Sequence, residues 1–493
     1  MTNLDLNTAS AGAIISGMKA GELRSRDVLE HFLARLEQHN PSLNAVVAQN
    51  IEIAREQARL ADVKQQSGAT LGALHGLPVT IKDTYEVVGM PTVCGSSSLR
   101  EHLSKRNAVA VQKMIDAGAI VFGKTNVPRF ATDFQSYNSV YGQTNNPWNL
   151  QCTPGGSSGG AAAALAAGIT PIELGSDIGG SIRTPAHYCG VYGHKPTQGV
   201  ISLRGHIPGP PGVLSEPDLA VAGPLARCAE DLELLMSVVQ GCTEIEARRG
   251  PVKLPRCTKK KPAQFRVRFW MDETLCPLDA SVMNAYSHLL DVMKSAGIQV
   301  DIGAPEEFSF ERVYKLYLRL LGAQLSNTAG KWQRLQLKAA GPLIQRFGEY
   351  FGAGAHMEEF FAGMAMSYAD WQRCNERRWR LIEKSEYLFS QYDVLLTPIV
   401  PTTAITHDNE RAVHRRQIRV NGRTRPYTDH LPWIALATAL GLPATSAPIA
   451  VSSQGMPINI QIVGARYRDA NCFAFAKVLA SLTGPIARPA AFF

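Results

Sequence analysis

The sequence has no hydrophobic run approaching the roughly 18 to 20 residues that a membrane-spanning helix needs. It also begins without the basic stretch and long apolar segment of a secretory signal. Its nine cysteines are an odd number, and no two of them are spaced as CxxC. This spacing argues against a disulfide framework and a structural zinc site, and it favours reduced thiols. We therefore predict a cytoplasmic protein with no contact to a membrane.

The composition is that of a soluble globular protein, with 45% hydrophobic and 19% charged residues. The net charge is +8, and the basic residues cluster at positions 259–261 and 411–425. Such clusters occur on nucleic-acid-binding surfaces, but a solvated basic loop is the commoner case. Nucleic acid is therefore not the partner that we expect.

The order of predicted elements is typical of an α/β fold, because strands alternate with helices. Length alone suggests two to four domains, and the best linker is at residues 244–261. Helices are predicted over residues 27–38 with Ser25 as N-cap, and over 51–65, 109–117 and 282–296. Strands are predicted at 78–81, 119–122, 171–175, 266–270, 298–302, 394–396 and 458–463, with a hairpin around Asn421-Gly422. The helical stretch 308–389 is unusually aromatic, which indicates either a helix core or the wall of an apolar pocket.

Two motif matches fail on their context. Residues 118–125 fit the phosphate-binding pattern GxxxxGK[ST], but the intervening Ala, Ile, Val and Phe favour a buried strand. Residues 155–159 fit the nucleophile elbow GxSxG, but a loop precedes them instead of a strand. Neither a nucleotide site nor an α/β-hydrolase triad is therefore expected.

Two glycine–serine segments carry the strongest chemical signal. GGSSGG at 155–160 precedes an alanine-rich helix. Its serines therefore lie at a helix N-terminus, where the first main-chain N–H groups have no partner within the helix. DIGGSIR at 177–183 places paired glycines directly before Ser181, which allows main-chain N–H groups to converge as an oxyanion requires. Upstream, Lys82 ends a predicted apolar strand.

Together these segments resemble the defining stretch of the amidase signature family of serine hydrolases. The resemblance extends from about residue 20 to about residue 480, and the two matching serines are 24 positions apart, as in the family. It implies the following roles: Lys82, Ser157 and Ser181 as catalytic triad, with a cis peptide bond at Ser157; the main chain of Ile178, Gly179, Gly180 and Ser181 as oxyanion hole; and Ser158, Asp177 and Arg183 as supporting residues. The usual family pattern has other residues at three positions, which are Arg129, His194 and Asn459 here. None of the three is a predicted catalytic residue, so we expect these differences to affect substrate contacts and not the chemistry.

The resemblance also implies one compact α/β domain, a mixed twisted β-sheet sandwiched between layers of α-helices, and this replaces the prediction from length. Within it we expect an N-terminal helical segment at 1–70, the catalytic core at 71–240, and the remainder at 241–493, with a substrate-pocket region at 305–390.

The proposed roles also make physical sense. A serine hydroxyl needs a base, and lysine can act as one only where burial lowers its pKa. The apolar strand around Lys82 offers that environment, because strand alternation turns the neighbouring Asp83 to the opposite face. Ser157 would then relay protons between Lys82 and Ser181. This chemistry calls for no metal and no organic cofactor.

Three functions remain open. The first is an amidase that cleaves small or aryl amides, or esters and carbamates, through an acyl-enzyme on Ser181. The second is an amidotransferase subunit that releases ammonia from glutamine for a tRNA-amidating partner. The third is an inactive scaffold of the same fold, against which the retention of Lys82, Ser157 and Ser181 argues. The aromatic stretch favours the first, and a homo-oligomer is compatible with all three.

Overall fold

An eleven-stranded β-sheet forms the centre of the protein. The structure is a computed structural model that describes residues 4–208, 211–241, 254–326, 336 and 354–493. The strands within these ranges are β1 (Val46–Gln49), β2 (Pro78–Lys82), β3 (Ile120–Thr125), β4 (Tyr137–Asn138), β5 (Gly142–Gln143), β6 (Ile172–Asp177), β7 (Tyr192–Lys195), β8 (Val221–Ala226), β9 (Arg266–Phe269), β10 (Gln299–Ile302), β11 (Val394–Thr397), β12 (Gln417–Val420), β13 (Arg423–Pro426), β14 (Ala444–Val451) and β15 (Pro457–Val463).

Helices precede, connect and follow these strands. In the described ranges they are α1 (Ala11–Lys19), α2 (Ser25–Leu43), α3 (Ile51–Gln66), α4 (Val109–Asp116), α5 (Gly159–Ala166), α6 (Arg183–Cys189), α7 (Ala229–Val239), α8 (Ala280–Ser295), α9 (Phe310–Leu325), α10 (Met357–Met364), α11 (Tyr368–Gln391), α12 (Pro432–Ala439) and α13 (Asp469–Thr483). None of the described helices is both long enough and apolar enough to cross a membrane.

The sheet is mixed. Its strand order is β1-β3-β2-β6-β8-β7-β14-β15-β11-β9-β10. β2 is parallel to both of its neighbours, β3 and β6, whereas the strands from β6 to β15 pair antiparallel. All five residues of β2 are buried, as expected for a parallel strand with neighbours on both edges. This strand carries Lys82 into the interior.

Two short helices beside the sheet are completely buried. Every residue of α5 and of α6 is buried, and α5 has no polar side chain. Gly160 makes this close packing possible, because a Cβ there would lie 2.4 Å from the main-chain nitrogen of Asn126. The loop that begins α5 is thereby held against the strand-end region of β3.

The structure confirms the α/β class and most of the predicted elements. The hairpin turns at Asn421-Gly422 between β12 and β13. The helix–Gly–strand unit occurs twice as predicted, with φ of 96° at Gly118 and 78° at Gly297. β6 extends two residues beyond the prediction and ends at Asp177, so the strand itself delivers this carboxylate.

Two expectations are wrong. A single sheet runs from β1 to β10 in space, so the described residues confirm the single α/β domain implied by the resemblance and not the several domains suggested by length. Ser25 is not the N-cap of α2, since Arg24 holds that position and Ser25 is already helical. The carboxylate of Asp62 accepts the Ser25 N–H at 2.6 Å, and the Ser25 hydroxyl donates instead to the Gly76 carbonyl at 2.7 Å.

The linker and the aromatic stretch are only partly within the described ranges. Residues 244–253 of the predicted linker fall outside them, as do four aromatic residues, Trp332, Phe347, Tyr350 and Phe351. Tyr314 and Tyr317 are buried, whereas Tyr368 is 74% exposed and Tyr387 61% exposed. In the described part of the stretch, the tyrosines of α9 therefore belong to the core, whereas those of α11 lie on the surface.

Candidate active site

Lys82 ends β2 with its ammonium group inside the protein. The residue is fully buried. Its Nζ donates to the Ser157 hydroxyl at 2.8 Å and to the Ser176 hydroxyl at 2.9 Å, with a longer contact of 3.4 Å to the Ser176 carbonyl. Two of the predicted catalytic residues are thus in direct hydrogen-bond contact.

Burial lowers the pKa of Lys82 to about 7, with the more distant Cys94, Asp177 and Glu173 opposing the shift. The neighbouring Asp83 does not counteract it, because its carboxylate pairs with Lys124 at 3.2 Å and accepts the Cys94 N–H at 3.0 Å. The prediction that Asp83 faces away from Lys82 is thereby confirmed. A neutral amine is accessible near neutral pH, as a general base requires.

Ser157 lies in the loop before α5. The Gly156–Ser157 peptide bond is cis, as the family resemblance implies. The Ser136 hydroxyl ties the loop together, because it donates to the Gly155 carbonyl at 3.0 Å and accepts the Gly159 N–H at 3.1 Å. This brace limits the movement of the Ser157 hydroxyl beside Lys82.

Ser181 is joined to the same loop through the main chain. The Ser158 N–H donates to the Ser181 carbonyl at 3.1 Å, so the two glycine–serine segments meet directly. The Ser158 hydroxyl contacts the Ser176 carbonyl at 3.4 Å. Ser181 is 6% exposed and Ser157 only 1%, and the Ser181 hydroxyl makes no hydrogen bond to any described residue. Of the two serines, Ser181 is the one that a substrate can reach more easily.

Main-chain N–H groups surround Ser181. Those of Ile178, Gly179 and Ser181 have no acceptor among the described residues, whereas the Gly180 N–H donates to the Asp177 carboxylate at 3.0 Å. Gly180 has a φ of 90°, a conformation that a side chain would strain. The geometry therefore leaves three of the four predicted oxyanion donors free and gives Gly180 a conformational role.

Asp177 and Arg183 form a buried ion pair under this loop, with a shortest contact of 2.8 Å. Asp177 also accepts the Ile182 N–H at 3.1 Å, and Arg183 donates to Gln461 at 2.7 Å and to Thr438 at 2.7 Å. Burial alone would raise the pKa of Asp177, but the guanidinium and the hydrogen bonds outweigh it and lower the pKa to about 2. The pair fixes the loop that carries Ser181 to α12 and β15.

Ser176 is a polar contact of Lys82 that the sequence analysis missed. Its place directly before Asp177 on a buried strand was the available signal, since a serine in such a strand needs a polar partner. Ser136 was missed as well, because it lies in an irregular segment with no motif.

Three bulky side chains lie closest to the oxyanion loop. A Cβ built on Gly179 would be 3.6 Å from Leu431, 3.6 Å from the Tyr317 hydroxyl and 3.9 Å from Phe134. The Tyr317 hydroxyl donates to the Ile178 carbonyl at 3.0 Å, and Phe134 stacks on His430 with ring centroids 4.9 Å apart. The side chains beside the loop are therefore largely apolar, and of these three only Phe134 is partly exposed.

The hairpin holds the segment that carries Phe134. Arg416, one residue before β12, pairs with Asp133 at 2.6 Å, and the Tyr427 hydroxyl donates to the other Asp133 oxygen at 2.8 Å. Ile418, Val420 and Tyr427 pack as a cluster against Phe134. The described part of the basic region thus includes a buried structural arginine as well as exposed ones.

The rejected motifs and the unusual residues have structural roles. The GxxxxGK[ST] match lies on β3, where Lys124 pairs with Asp83, and no strand directly precedes the GxSxG match.

His194 contacts Thr445 and Asp469 within the core, and Asn459 donates to the main chain of α6 and to Ser446. Arg129 covers the Phe130 ring at 5.5 Å. No group of three metal-binding side chains is present in the part of the chain that the structure describes.

Comparison with known proteins shows the family to which the chain belongs. The sequence profile of the Amidase family matches residues 27–473. A glutamyl-tRNA(Gln) amidotransferase subunit of Deinococcus radiodurans is 33% identical over 486 residues, which cover 95% of this chain and 96% of that protein. The structure of 6-aminohexanoate cyclic dimer hydrolase complexed with substrate is similar with a TM-score of 0.76 at 25% identity, covering 97% of this chain and 98% of that one. A bacterial aryl acylamidase shares the fold, with a TM-score of 0.77 at 24% identity over 97% of this chain and 96% of that one. The chain therefore belongs to the amidase family, the amidase signature enzymes.

Proposed function

We propose that this member of the family hydrolyses amide bonds of small, largely apolar substrates through an acyl-enzyme on Ser181. The observation that carries the proposal is the contact of 2.8 Å between the buried Lys82 amine and the Ser157 hydroxyl. In the proposal this contact provides the base and the first link of the relay that an otherwise weakly nucleophilic serine needs, and the second link, from Ser157 to Ser181, forms during the reaction. Family members act on carbon–nitrogen bonds, which fits this use of the site.

In the proposed reaction, neutral Lys82 takes the Ser157 proton while Ser157 takes the proton of Ser181. The Ser181 oxygen attacks the substrate carbonyl, and the free N–H groups of Ile178, Gly179 and Ser181 stabilise the oxyanion. Each such donor contributes roughly 3 kcal/mol to transition-state stabilisation. The relay then runs in reverse: Ser157 protonates the departing amine, and Lys82 returns a proton to Ser157. Water releases the acid from Ser181 by the same steps.

The apolar surface beside the oxyanion loop supports the choice of substrate class. Phe134 is partly exposed and would offer contact area without charge to an acyl or amine group, while Tyr317 and Leu431 are buried beside the same loop. Esters and carbamates pass through a similar tetrahedral intermediate, so activated examples are expected to react as well. Aryl and other apolar amides are the substrates that we expect to be cleaved fastest.

A substrate screen with the purified full-length chain tests this proposal. We expect hydrolysis of anilides without any added protein, complete loss in Ser181→Ala, and loss of labelling by a fluorophosphonate in the same variant. Ser453→Ala, in an exposed turn, is the matched control and should retain full activity. Wild-type protein that is folded but neither labelled nor active on any amide or ester would refute the proposal.

The amidotransferase subunit is the second candidate, and sequence similarity favours it. The relatives at 30% and 33% identity, from Trichodesmium erythraeum and Deinococcus radiodurans, carry that name over more than nine-tenths of their length. This function predicts glutaminase activity that depends on a second subunit, together with co-purification of that subunit. Glutamine turnover should then exceed anilide turnover, which is the reverse of the result expected for the first candidate.

A further inference from the structure

Glu173 carries a buried carboxyl group that the proposed reaction does not use. It lies on β6 and is fully buried. Two threonine hydroxyls hold it: Thr80 donates to Oε2, and Thr125 donates to Oε1 at 2.7 Å. Glu173 forms no ion pair with any of the described residues. A buried carboxyl group in this situation is costly to ionise, so its presence needs a reason.

The strand register places this carboxyl group beside Lys82. Thr80 pairs with Glu173 between the parallel strands β2 and β6, and Lys82 pairs with Thr125 between β2 and β3. Residues two apart on a strand share a face, so Thr80 and Lys82 point to the same side of β2. Because Glu173 reaches a threonine on each of β2 and β3, its carboxyl group lies across β2, next to the Cα end of the Lys82 side chain.

An apolar helix covers this part of the sheet. Leu225 of β8 pairs with Glu173 and packs with Ala162 and Leu165 of α5. Neither α5 nor β8 carries a titratable side chain. Charges between the sheet and α5 are therefore screened weakly, and a charge on Glu173 acts on Lys82 more strongly than it would at the surface.

The other groups that act on Lys82 keep one charge state around neutral pH. Asp177 stays ionised, because the guanidinium group beside it outweighs burial and lowers its pKa to about 2. Burial raises the pKa of the Cys94 thiol and lowers the pKa of His206 to about 3, so both stay neutral. Glu173 differs from them, since burial raises its pKa to about 8 against the effect of its two threonine partners. Among these groups it is the one whose charge changes near neutral pH.

Two lysines act on Glu173 from the neighbouring strands, Lys124 and Lys82. Lys124 already pairs with Asp83 at 3.2 Å. The Tyr85 hydroxyl donates to a main-chain carbonyl of β6 at 2.6 Å and stays neutral, because burial raises its pKa. Lys82 forms no ion pair with a described residue, so it is the cation that responds to the charge of Glu173.

We propose that Glu173 is a positioning residue that acts through Lys82: the charge on its carboxyl group sets the pH range in which the Lys82 amine is neutral. The inference rests on the proposed function, since Lys82 is the base of that reaction. An ionised carboxylate nearby favours the ammonium form, whereas a protonated carboxyl group leaves the amine free to act as a base. The two groups therefore titrate as a coupled pair, and protonated Glu173 keeps Lys82 available at neutral pH.

The pH dependence of kcat/KM for an anilide tests this role. Glu173→Gln removes the charge and keeps the size of the side chain, so the midpoint of the rise should move to lower pH by roughly 0.5 unit or more. Thr125→Val removes a donor to the carboxylate and should move the midpoint the same way by less, which carries the test if Glu173→Gln does not fold. Glu233→Gln, exposed on α7, is the matched control and should keep the wild-type midpoint. Reduced activity with an unchanged midpoint in Glu173→Gln would overturn the proposal.

Urea unfolding between about pH 5 and pH 9 tests the coupling without catalytic turnover. Folded Glu173 keeps a proton that the unfolded chain releases near its ordinary pKa of about 4.3, so this group lowers the stability progressively as the pH rises to about 8. The difference in unfolding free energy between Glu173→Gln and wild type should therefore grow up to that pH and then level off.

Coupling is reciprocal, so Lys82 must shift the titration of Glu173 as well. In the Lys82→Met background the same difference should keep growing to higher pH, because no ammonium group favours the carboxylate. If it levels off at the wild-type pH, the two residues do not interact and the proposal fails. A protein that shows the reciprocal shift but cleaves no amide or ester would refute the proposed function and not the coupling.

Discussion

The ionisation of Lys82 offers the sharpest test of the proposed chemistry. With an ordinary pKa of 10.5, only about 0.03% of the amines would be neutral at pH 7. With the pKa lowered to about 7 by burial, about half of them are neutral, a gain of more than a thousandfold in active base. The same shift means that burial destabilises the charged form of Lys82, relative to its neutral form, by about 5 kcal/mol. Full burial of the side chain makes a shift of that order physically reasonable.

We therefore expect kcat/KM for a non-ionising anilide to rise about tenfold between pH 6 and pH 8 and then to level off. The sign follows from the mechanism, because protonated Lys82 cannot accept a proton and neutral Lys82 can. Steady-state kinetics at constant ionic strength measures the profile, and the rate of fluorophosphonate labelling should follow the same curve. A profile that is flat or that falls through pH 7 would refute Lys82 as the base.

Other buried groups titrate in this range, so the midpoint must be assigned to Lys82. Burial lowers the pKa of Lys195 to about 7 and raises that of Glu173 to about 8. Ser176, however, accepts a hydrogen bond from Lys82 and from neither of these. Ser176→Ala removes a partner of the charged amine and should move the midpoint to lower pH, while Ser453→Ala should not move it. An unchanged midpoint in Ser176→Ala would assign the titration to another group.

Three further predictions concern the roles of single residues. Lys82→Ala should cost several orders of magnitude on anilides but less on activated esters, whose leaving groups need no proton; equal losses on both would exclude the relay. Arg183→Met leaves Asp177 buried without its partner, so urea denaturation should show a free energy of unfolding lower by about 3 to 5 kcal/mol. A decrease below about 1 kcal/mol would mean that solvent reaches the carboxylate. Phe134→Ala should raise KM for anilides more than KM for a short aliphatic amide, and the pocket assignment fails if both change equally.

Much of the site could be predicted from the sequence because short local patterns of residues indicate its main parts. Paired glycines before Ser181 and an alanine-rich helix after Ser157 mark a loop and a helix end wherever they occur. An apolar strand around Lys82 marks a buried lysine. The family resemblance implied the cis peptide bond at Ser157, and strand alternation predicted that Asp83 lies on the face opposite Lys82; both features are present in the structure.

The partners of these residues could not be predicted, because they come from distant parts of the chain. Ser136 braces the loop of Ser157 from an irregular segment, and Arg416 reaches Asp133 across more than 280 positions. The N-cap of α2 was misassigned for the same reason, since a carboxylate from α3 satisfies the helix end in place of a local side chain.

The sequence by itself thus determined the reactive groups and the local backbone that presents them. Only the tertiary structure decided that Lys82 loses its charge near pH 7, because desolvation depends on all the elements that pack around β2. The tertiary structure also directs the Gly180 N–H to the Asp177 carboxylate as a hydrogen-bond donor. It places three side chains together beside the oxyanion loop, namely Phe134, Tyr317 and Leu431. Burial and long-range contacts are properties of the packed chain, and no short stretch of residues encodes them alone.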